Sequence, residues 1–483
     1  MDEIVLISYF VSLFILFVFG SHGFIMIYYY NKYRNVKHSP KKDFVPNEVV
    51  TIQLPLYNEQ YVVERLIDTV CEIEYPKDKL EIQVLDDSTD ETVAIVANKV
   101  AEKQKLGFDI THIHRTNREG FKAGALKEGL KIAKGEFVAI FDADFVPQKD
   151  FLINTLSYFT DEKIGMVQTR WEHLNGEYSI LTKAQALALD GHFVIEQNVR
   201  NKAGFFINFN GTGGVWRKSC IEDAGNWHSD TLTEDLDLSY RAQLNGWRFV
   251  FLKDFISPAE LPSEINALKA QQFRWTKGAI ETSKKILPLV WKSGIPLRVK
   301  LQSTFHLTNN FAFPFILLAA ILNVPLIFVK NSGAHEAYFA ILSMFVLAFI
   351  SSFLFYLYSQ KDIRTDWRKK IVLFPLFMAG SMGFAVNNSR AVFEGLLNRK
   401  SEFVRTPKFK LETEKDSWVG KKYVNKKLEP AVFVELLLAI YCFIGICSSI
   451  YFLELAAIPF QLLFFIGFSY VSYSSIKHAY SKK

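Results

Sequence analysis

Three acidic positions in this sequence have the residue types and spacing to do chemistry. Asp142 and Asp144 flank one alanine after the apolar run FVAIF, and Asp86 and Asp87 follow LEIQVL. Two carboxylates one residue apart at a strand end can share one ion, because the residue between them turns away. Oxygen-only donors of this kind suit Mg2+ or Mn2+ holding a diphosphate. Glu234 and Asp235 stand just before the amphipathic run LDLSYRAQL. Only together with the upstream acids and the motifs below does Asp235 become a candidate general base. A simpler reading makes Thr233 a helix cap and the acids first-turn residues favoured by the helix dipole. No GxxxxGK(S/T) phosphate loop occurs, and FNGTGGVW lacks the strand–turn–helix setting of a dinucleotide site, which speaks against a kinase, ATPase or dehydrogenase. His112, His114, His192 and His228 lack metal-ligand spacing, and the four cysteines form no CxxC pair, so neither a zinc site nor a disulfide framework is indicated.

These acids need a frame to hold them. Residues 49–258 read as an α/β domain in which short β-rich runs (VVTIQLPL, LEIQVLDD, FDITHIHR, GEFVAIFDAD) alternate with helical patterns such as EQYVVERLIDTVCEIE and FKAGALKEGLKIAKG. Such alternation predicts right-handed crossovers and a mostly parallel sheet. Ligands of these sheets bind beyond the carboxyl ends of the strands, where both acidic pairs lie.

The rest of the chain is built for lipid. Of 483 residues, 49% are hydrophobic and 15% aromatic, including 44 Phe, which is rich for a soluble enzyme. Residues 4–30 are apolar enough to span a bilayer. Lys32, Arg34, Lys37, Lys41 and Lys42 follow this run instead of preceding it, unlike a signal peptide, and place the next domain in the cytoplasm. Residues 311–329, 337–358, 432–452 and 456–473 are further spans. The run 371–388 contains Pro375, Gly380 and Gly383 and fits a broken, re-entrant or interfacial helix, which keeps every basic loop cytoplasmic. The expected topology is five spans, N-terminus outside and C-terminus inside. The net charge of +6 is explained by these loops, and no basic–aromatic face suggests nucleic acid.

In order, LPLYNE, VLDDSTDET, FKAGAL, FDADF, FNGTGGVWR, TLTEDLDLSYRA and QQFRW resemble the inverting family-2 glycosyltransferases of the cellulose synthase superfamily, with their D, D, D, QxxRW signature. QTRWEHLN, FNGTGGVWR and QQFRW resemble most the cellulose-synthase-like glucomannan and mannan synthases and their bacterial relatives. The resemblance implies a GT-A type, Rossmann-like catalytic domain flanked by transmembrane α-helices. It implies that Tyr57, Glu59 and Asp87 line a nucleoside pocket with Asp86 beside them, and that Lys122 lies near the donor diphosphate. Asp142 and Asp144 would hold metal and diphosphate, and Asp235, with Glu234 beside it, would deprotonate the acceptor. Arg274 would meet the leaving diphosphate, with Gln271 and Trp275 at the acceptor. SEFVRTPK resembles the FxVTxK gating loop through Phe403, Thr406 and Lys408, with Val404-Arg405 replacing the usual x-Val.

The expected function is a processive synthase that moves a hexose from UDP-glucose or GDP-mannose onto a β-linked polymer with inversion and exports the polymer. A single transfer to a membrane lipid, as in ceramide glucosyltransferase-like proteins, is one alternative, and a silent nucleotide-sugar-binding membrane subunit is another. The expected units are an N-terminal transmembrane helix (1–31), a cytoplasmic catalytic domain (32–262), interfacial helices with QxxRW (263–305) and a C-terminal membrane domain (306–483). The last holds the re-entrant helix at 371–398 and the gating-like loop at 400–410. A bacterial plasma membrane is the expected location.

Overall fold

The computed structural model describes residues 2–37, 39–40, 45–333, 335–401, 404–413, 415–424 and 427–480. Of the residues named above, Lys41, Lys42 and Phe403 lie outside the described set.

The four β-rich runs form β1 (Val50–Leu56), β2 (Leu80–Asp86), β3 (Asp109–His114) and β4 (Phe137–Ile140). β5 (Ile164–His173), β6 (Gly214–Arg217) and β7 (Arg248–Ala259) complete a seven-stranded sheet in the order β3-β2-β1-β4-β6-β5-β7. All pairs are parallel except those of β6, which runs antiparallel to both β4 and β5. The central strands are covered on both faces, as their continuous apolar runs require. Ile52, Val84, Leu66 and Val96 belong to one buried layer, and Leu126, Ile140, Trp216 and Phe251 to another.

Among the described residues, five helices are long and apolar enough to cross a membrane: Asp2–Tyr33, Leu297–Asn331, Glu336–Ile363, Ala431–Tyr451 and Leu455–Ala479. The second is longer than the expected span 311–329. Leu297–Thr308, read from sequence as largely interfacial, continues through a short 3-10 turn into Ala312–Asn331. The run with Pro375 and two glycines is a bent pair, Trp367–Gly383 and Ala385–Leu396, meeting at 46°. Gly383 lets this break sit against the helix Leu455–Ala479, since a Cβ there would lie 2.4 Å from the Gly467 carbonyl oxygen.

The helix Ile265–Lys292, which carries QxxRW, joins the two parts. Lys269 on it donates to both carboxylate oxygens of Glu435 in the helix Ala431–Tyr451, at 2.7 and 2.9 Å, with both side chains buried. Breaking such a pair strands a buried charge, so it fixes how the sheet domain sits on the long apolar helices.

Candidate active site

The acids converge at the carboxyl end of the sheet, on a cavity of about 260 Å³. Asp142 and Asp144 follow β4. The Asp142 backbone N–H donates to Thr212 Oγ1 at 2.9 Å, which anchors the turn. Lys122, in the first turn of the helix Phe121–Ile132, donates from Nζ to Asp142 Oδ1 at 2.5 Å and to the Gly211 carbonyl at 2.9 Å. Burial alone would lower the Lys122 pKa, but Asp142 and Glu234 outweigh it and keep the ammonium charged.

Glu234 and Asp235 open the helix Glu234–Leu244 on the facing wall. The capping explanation covers only part of this helix start: Thr233 holds the N-cap position and the acids fill the first turn. The Thr233 side chain makes no cap and instead shares a hydrogen bond with Thr282 at 3.0 Å. Asp235 Oδ1 accepts from its neighbour's backbone, Leu236 N–H, at 2.8 Å. Burial, and then the adjacent Glu234, push the Asp235 pKa well above the ordinary aspartate range. Burial also raises Glu234.

Two glycines allow these walls to approach. Gly211 has φ +81°, and a Cβ there would stand 3.3 Å from Asp235 Oδ2. A Cβ on Gly278 would lie 2.6 Å from Thr233 Cγ2, so the QxxRW helix can press against the segment before Asp235 only because Gly278 is bare. That contact brings Gln271, Arg274 and Trp275 to the cavity wall. Burial lowers Arg274 to about 10, against the pull of Glu234 and Asp142, which leaves it a cation at neutral pH. Trp275, expected from the resemblance at the acceptor, lines the cavity and is 37% exposed.

The segment around 404–410 closes another side. Arg274 Nη2 donates to Thr406 Oγ1 at 2.8 Å, and Lys408 Nζ donates to Asp144 Oδ2 at 2.7 Å. Arg405, the departure from x-Val, is ion-paired with Glu59, Nη1 to Oε1 at 2.9 Å, and covers the Tyr423 ring at 4.0 Å. Burial raises Glu59 to about 8 even with Arg405 beside it.

Tyr57, Glu59 and Asp87 line the same cavity, but Asp86 does not. Neighbouring residues at a strand end face opposite sides, so Asp86 turns into the protein and meets His112 at 2.9 Å. Asp87 reaches the cavity with both oxygens forked by Arg115, at 2.7 and 2.6 Å. Three titratable lining residues were missed in the sequence: Arg118, His173 and Glu260. Arg118 stacks on Tyr57 at 3.3 Å, and the Glu260 carboxylate accepts the backbone N–H groups of Phe409 and Lys410 at 2.9 and 2.8 Å. Arg118 follows β3, His173 ends β5 and Glu260 follows β7. The strand-end rule finds all three when applied beyond β2 and β4.

Asp142 and Asp144 offer hard carboxylate donors suited to Mg2+ or Mn2+. Their oxygens are held here by the ammonium groups of Lys122 and Lys408, so this corner already demands positive charge.

Residues 46–278 match the family model described as glycosyltransferase like family 2. The probable glucomannan 4-beta-mannosyltransferase 10 of Arabidopsis thaliana is 33% identical over 422 residues, covering 84% of this chain and 73% of that protein. Glucomannan 4-beta-mannosyltransferase 1 of Oryza sativa subsp. japonica is 42% identical over 271 residues, 54% of this chain and 51% of its own length. Against several of these relatives, then, the match spans about half their length. Among solved structures, a mannosyltransferase from Pyrobaculum calidifontis in complex with GDP-Man and Mn2+ superposes with TM-score 0.55 at 20% identity, covering 83% of this chain and 100% of that one. That likeness is one of fold.

Proposed function

The chain belongs to the glycosyltransferases of family 2, and from that premise we propose that it transfers a hexose from a nucleotide sugar to a growing β-linked glycan, with inversion. The observation that carries this reading is one cavity with a raised-pKa carboxylate, Asp235, facing a second acidic pair, Asp142 and Asp144, with Lys122 between them. One wall can handle an acceptor proton while the other handles a diphosphate.

In the proposed reaction Asp235 takes the proton of the acceptor hydroxyl. The hydroxyl oxygen forms a bond to the anomeric carbon as the bond from that carbon to the diphosphate oxygen breaks, so the configuration inverts in one displacement. Lys122 and Arg274 stabilise the charge that develops on the leaving diphosphate. Asp142 and Asp144 would hold Mg2+ or Mn2+, which when bound supplies further neutralisation of the diphosphate. Tyr57, Glu59 and Asp87 hold the nucleoside, and Trp275 and Gln271 meet the acceptor sugar. Thr406 and Lys408 close over the donor, Thr406 through Arg274 and Lys408 through Asp144.

The relatives are named for glucomannan mannosyl transfer, and their similarity supports GDP-mannose or UDP-glucose as donor and a polymer as acceptor. The five apolar helices support an integral membrane enzyme that passes its product across the bilayer. Basic residues after the first helix support a cytoplasmic catalytic domain. Purified enzyme incubated with labelled GDP-mannose or UDP-glucose and divalent cation should yield a polymer cleaved by a β-linkage-specific hydrolase. A single-sugar glycolipid would instead support lipid transfer, and donor binding without product would support a silent subunit.

A further inference from the structure

Three groups of His and acidic side chains outside the acidic centre bring ligand atoms within 4.8 Å of one another among the described residues. Two are already neutralised by permanent cations. In Glu172–His173–Asp190, Arg364 pairs with both acids, at 2.6 and 3.1 Å. In His228–Asp230–Asp237, Lys285 pairs with both acids at 2.9 and 3.0 Å, and Arg241 adds a contact to Asp237 at 2.7 Å.

The third group differs. Asp86 is wholly buried, and among the described residues its ion-pair partners are only imidazoles: His112 Nε2 at 2.9 Å and His114 Nδ1 at 3.7 Å from Oδ2. Arg115, the residue after His114, forks onto Asp87 instead. A buried carboxylate needs a compensating charge, and a neutral imidazole supplies only a hydrogen bond. The sheet builds the group. Asp86 and His114 are register partners on β2 and β3, His112 is two residues before His114, and all three therefore share one face. His112 and His114 are 15% and 33% exposed, so the open side of the group reaches solvent.

We propose that Asp86, His112 and His114 form a second metal site, distinct from the acidic centre, for a borderline divalent cation such as Zn2+. Two imidazoles and one carboxylate are the donor set of such ions and are poorly suited to Mg2+. Tetrahedral ligands at about 2.0–2.1 Å from zinc lie about 3.3 Å apart; the two separations from Asp86 Oδ2, 2.9 and 3.7 Å, bracket that value, and the imidazole nitrogens lie within 4.8 Å of each other. The fourth position faces solvent and takes water. The site also touches the nucleoside wall. Asp86 Oδ1 accepts from Ser88 N–H at 2.8 Å, and Ser88 Oγ accepts from Asn58 N–H at 2.7 Å, between Tyr57 and Glu59. A cation on Asp86 would stiffen that wall.

The test uses full-length protein in detergent, stripped by chelator and held in excess Mg2+ so that oxygen-only sites are filled. Titration with Co2+ should show one equivalent bound, with the intense visible bands of a low-coordinate site. His114→Asn and His112→Phe should each lose that equivalent, and Asp142→Asn should keep it. Equal Co2+ binding in wild type and both histidine variants, no binding in wild type, or loss in Asp142→Asn would each overturn the site. X-ray absorption of the Zn2+-loaded wild type should show two imidazole ligands. An oxygen-only shell would refute the assignment without any variant.

Discussion

Lys408 Nζ stands 2.7 Å from Asp144 Oδ2, although 264 residues separate them in the chain. The Glu260 carboxylate ties the next two residues, Phe409 and Lys410, by their backbone N–H groups. The segment is thereby docked on the acid that the proposal assigns to the diphosphate corner. Lys408→Ala should raise the donor KM about thirtyfold, the ~2 kcal/mol at the lower end of what truncating a buried charged pair costs. Lys408→Arg should recover part of the loss. Initial rates against donor concentration measure this, and an unchanged KM would remove Lys408 from the donor site.

Asp235→Asn keeps the shape of the helix start and removes the base. Turnover should fall by roughly 10²–10⁴-fold, while donor affinity measured by calorimetry stays within a few-fold. Synthesis at the wild-type rate would rule out Asp235 as the proton acceptor.

The pH dependence carries a sign. Asp235 must be ionised to take a proton, and burial together with Glu234 raises its pKa. The rate should therefore rise with pH through an apparent value above that of an ordinary aspartate, a value that belongs to the Glu234–Asp235 pair. Glu234→Gln removes a neighbouring negative charge, so the acid limb should move to lower pH. A limb that stays in place would show that Glu234 does not set it.

Asp142 and Asp144 are proposed to share Mg2+ or Mn2+. A chelator should abolish transfer, and Mn2+ or Mg2+ should restore it. Asp144→Ala should not be rescued by either ion at millimolar concentration. Full activity in chelator would contradict the metal assignment.

Asp190 tests the joint between the catalytic domain and the helix Glu336–Ile363. Burial would raise its pKa, but His173 and Arg364 outweigh burial and hold it at about 2. A carboxyl group with a depressed folded pKa stabilises above its unfolded value and loses that contribution as pH falls through the folded one. Asp190→Asn should therefore cost roughly 2 kcal/mol near neutral pH, and the gap in thermal stability should narrow between about pH 4 and pH 2. A gap independent of pH would show that packing, not charge, is lost.

The sequence by itself determined the parts of this protein that local physics controls. Apolar length marked the five long helices, and Pro375 with its glycines marked the broken pair, because a bilayer selects for hydropathy and helix breakers act where they stand. Strand–helix alternation determined the mostly parallel sheet, and its carboxyl ends pointed to Asp142 and Asp144. The ordered motifs added Glu234, Asp235, Gln271, Arg274 and Trp275, all of which line one cavity.

Only the tertiary structure decided what those residues touch. Asp86 and Asp87 are neighbours with the same side chain, yet the pleat sends one to His112 and the other to the cavity. His112 and His114 gain a carboxylate only through the register of β2 with β3. Arg405 reads in the sequence as a departure from a pattern, but in the fold it meets Glu59 across 346 residues of chain. Such pairs depend on how the QxxRW helix, the bent pair and the 404–410 segment pack against the sheet. No local periodicity encodes that packing, because the contacts form between elements whose own patterns are satisfied separately.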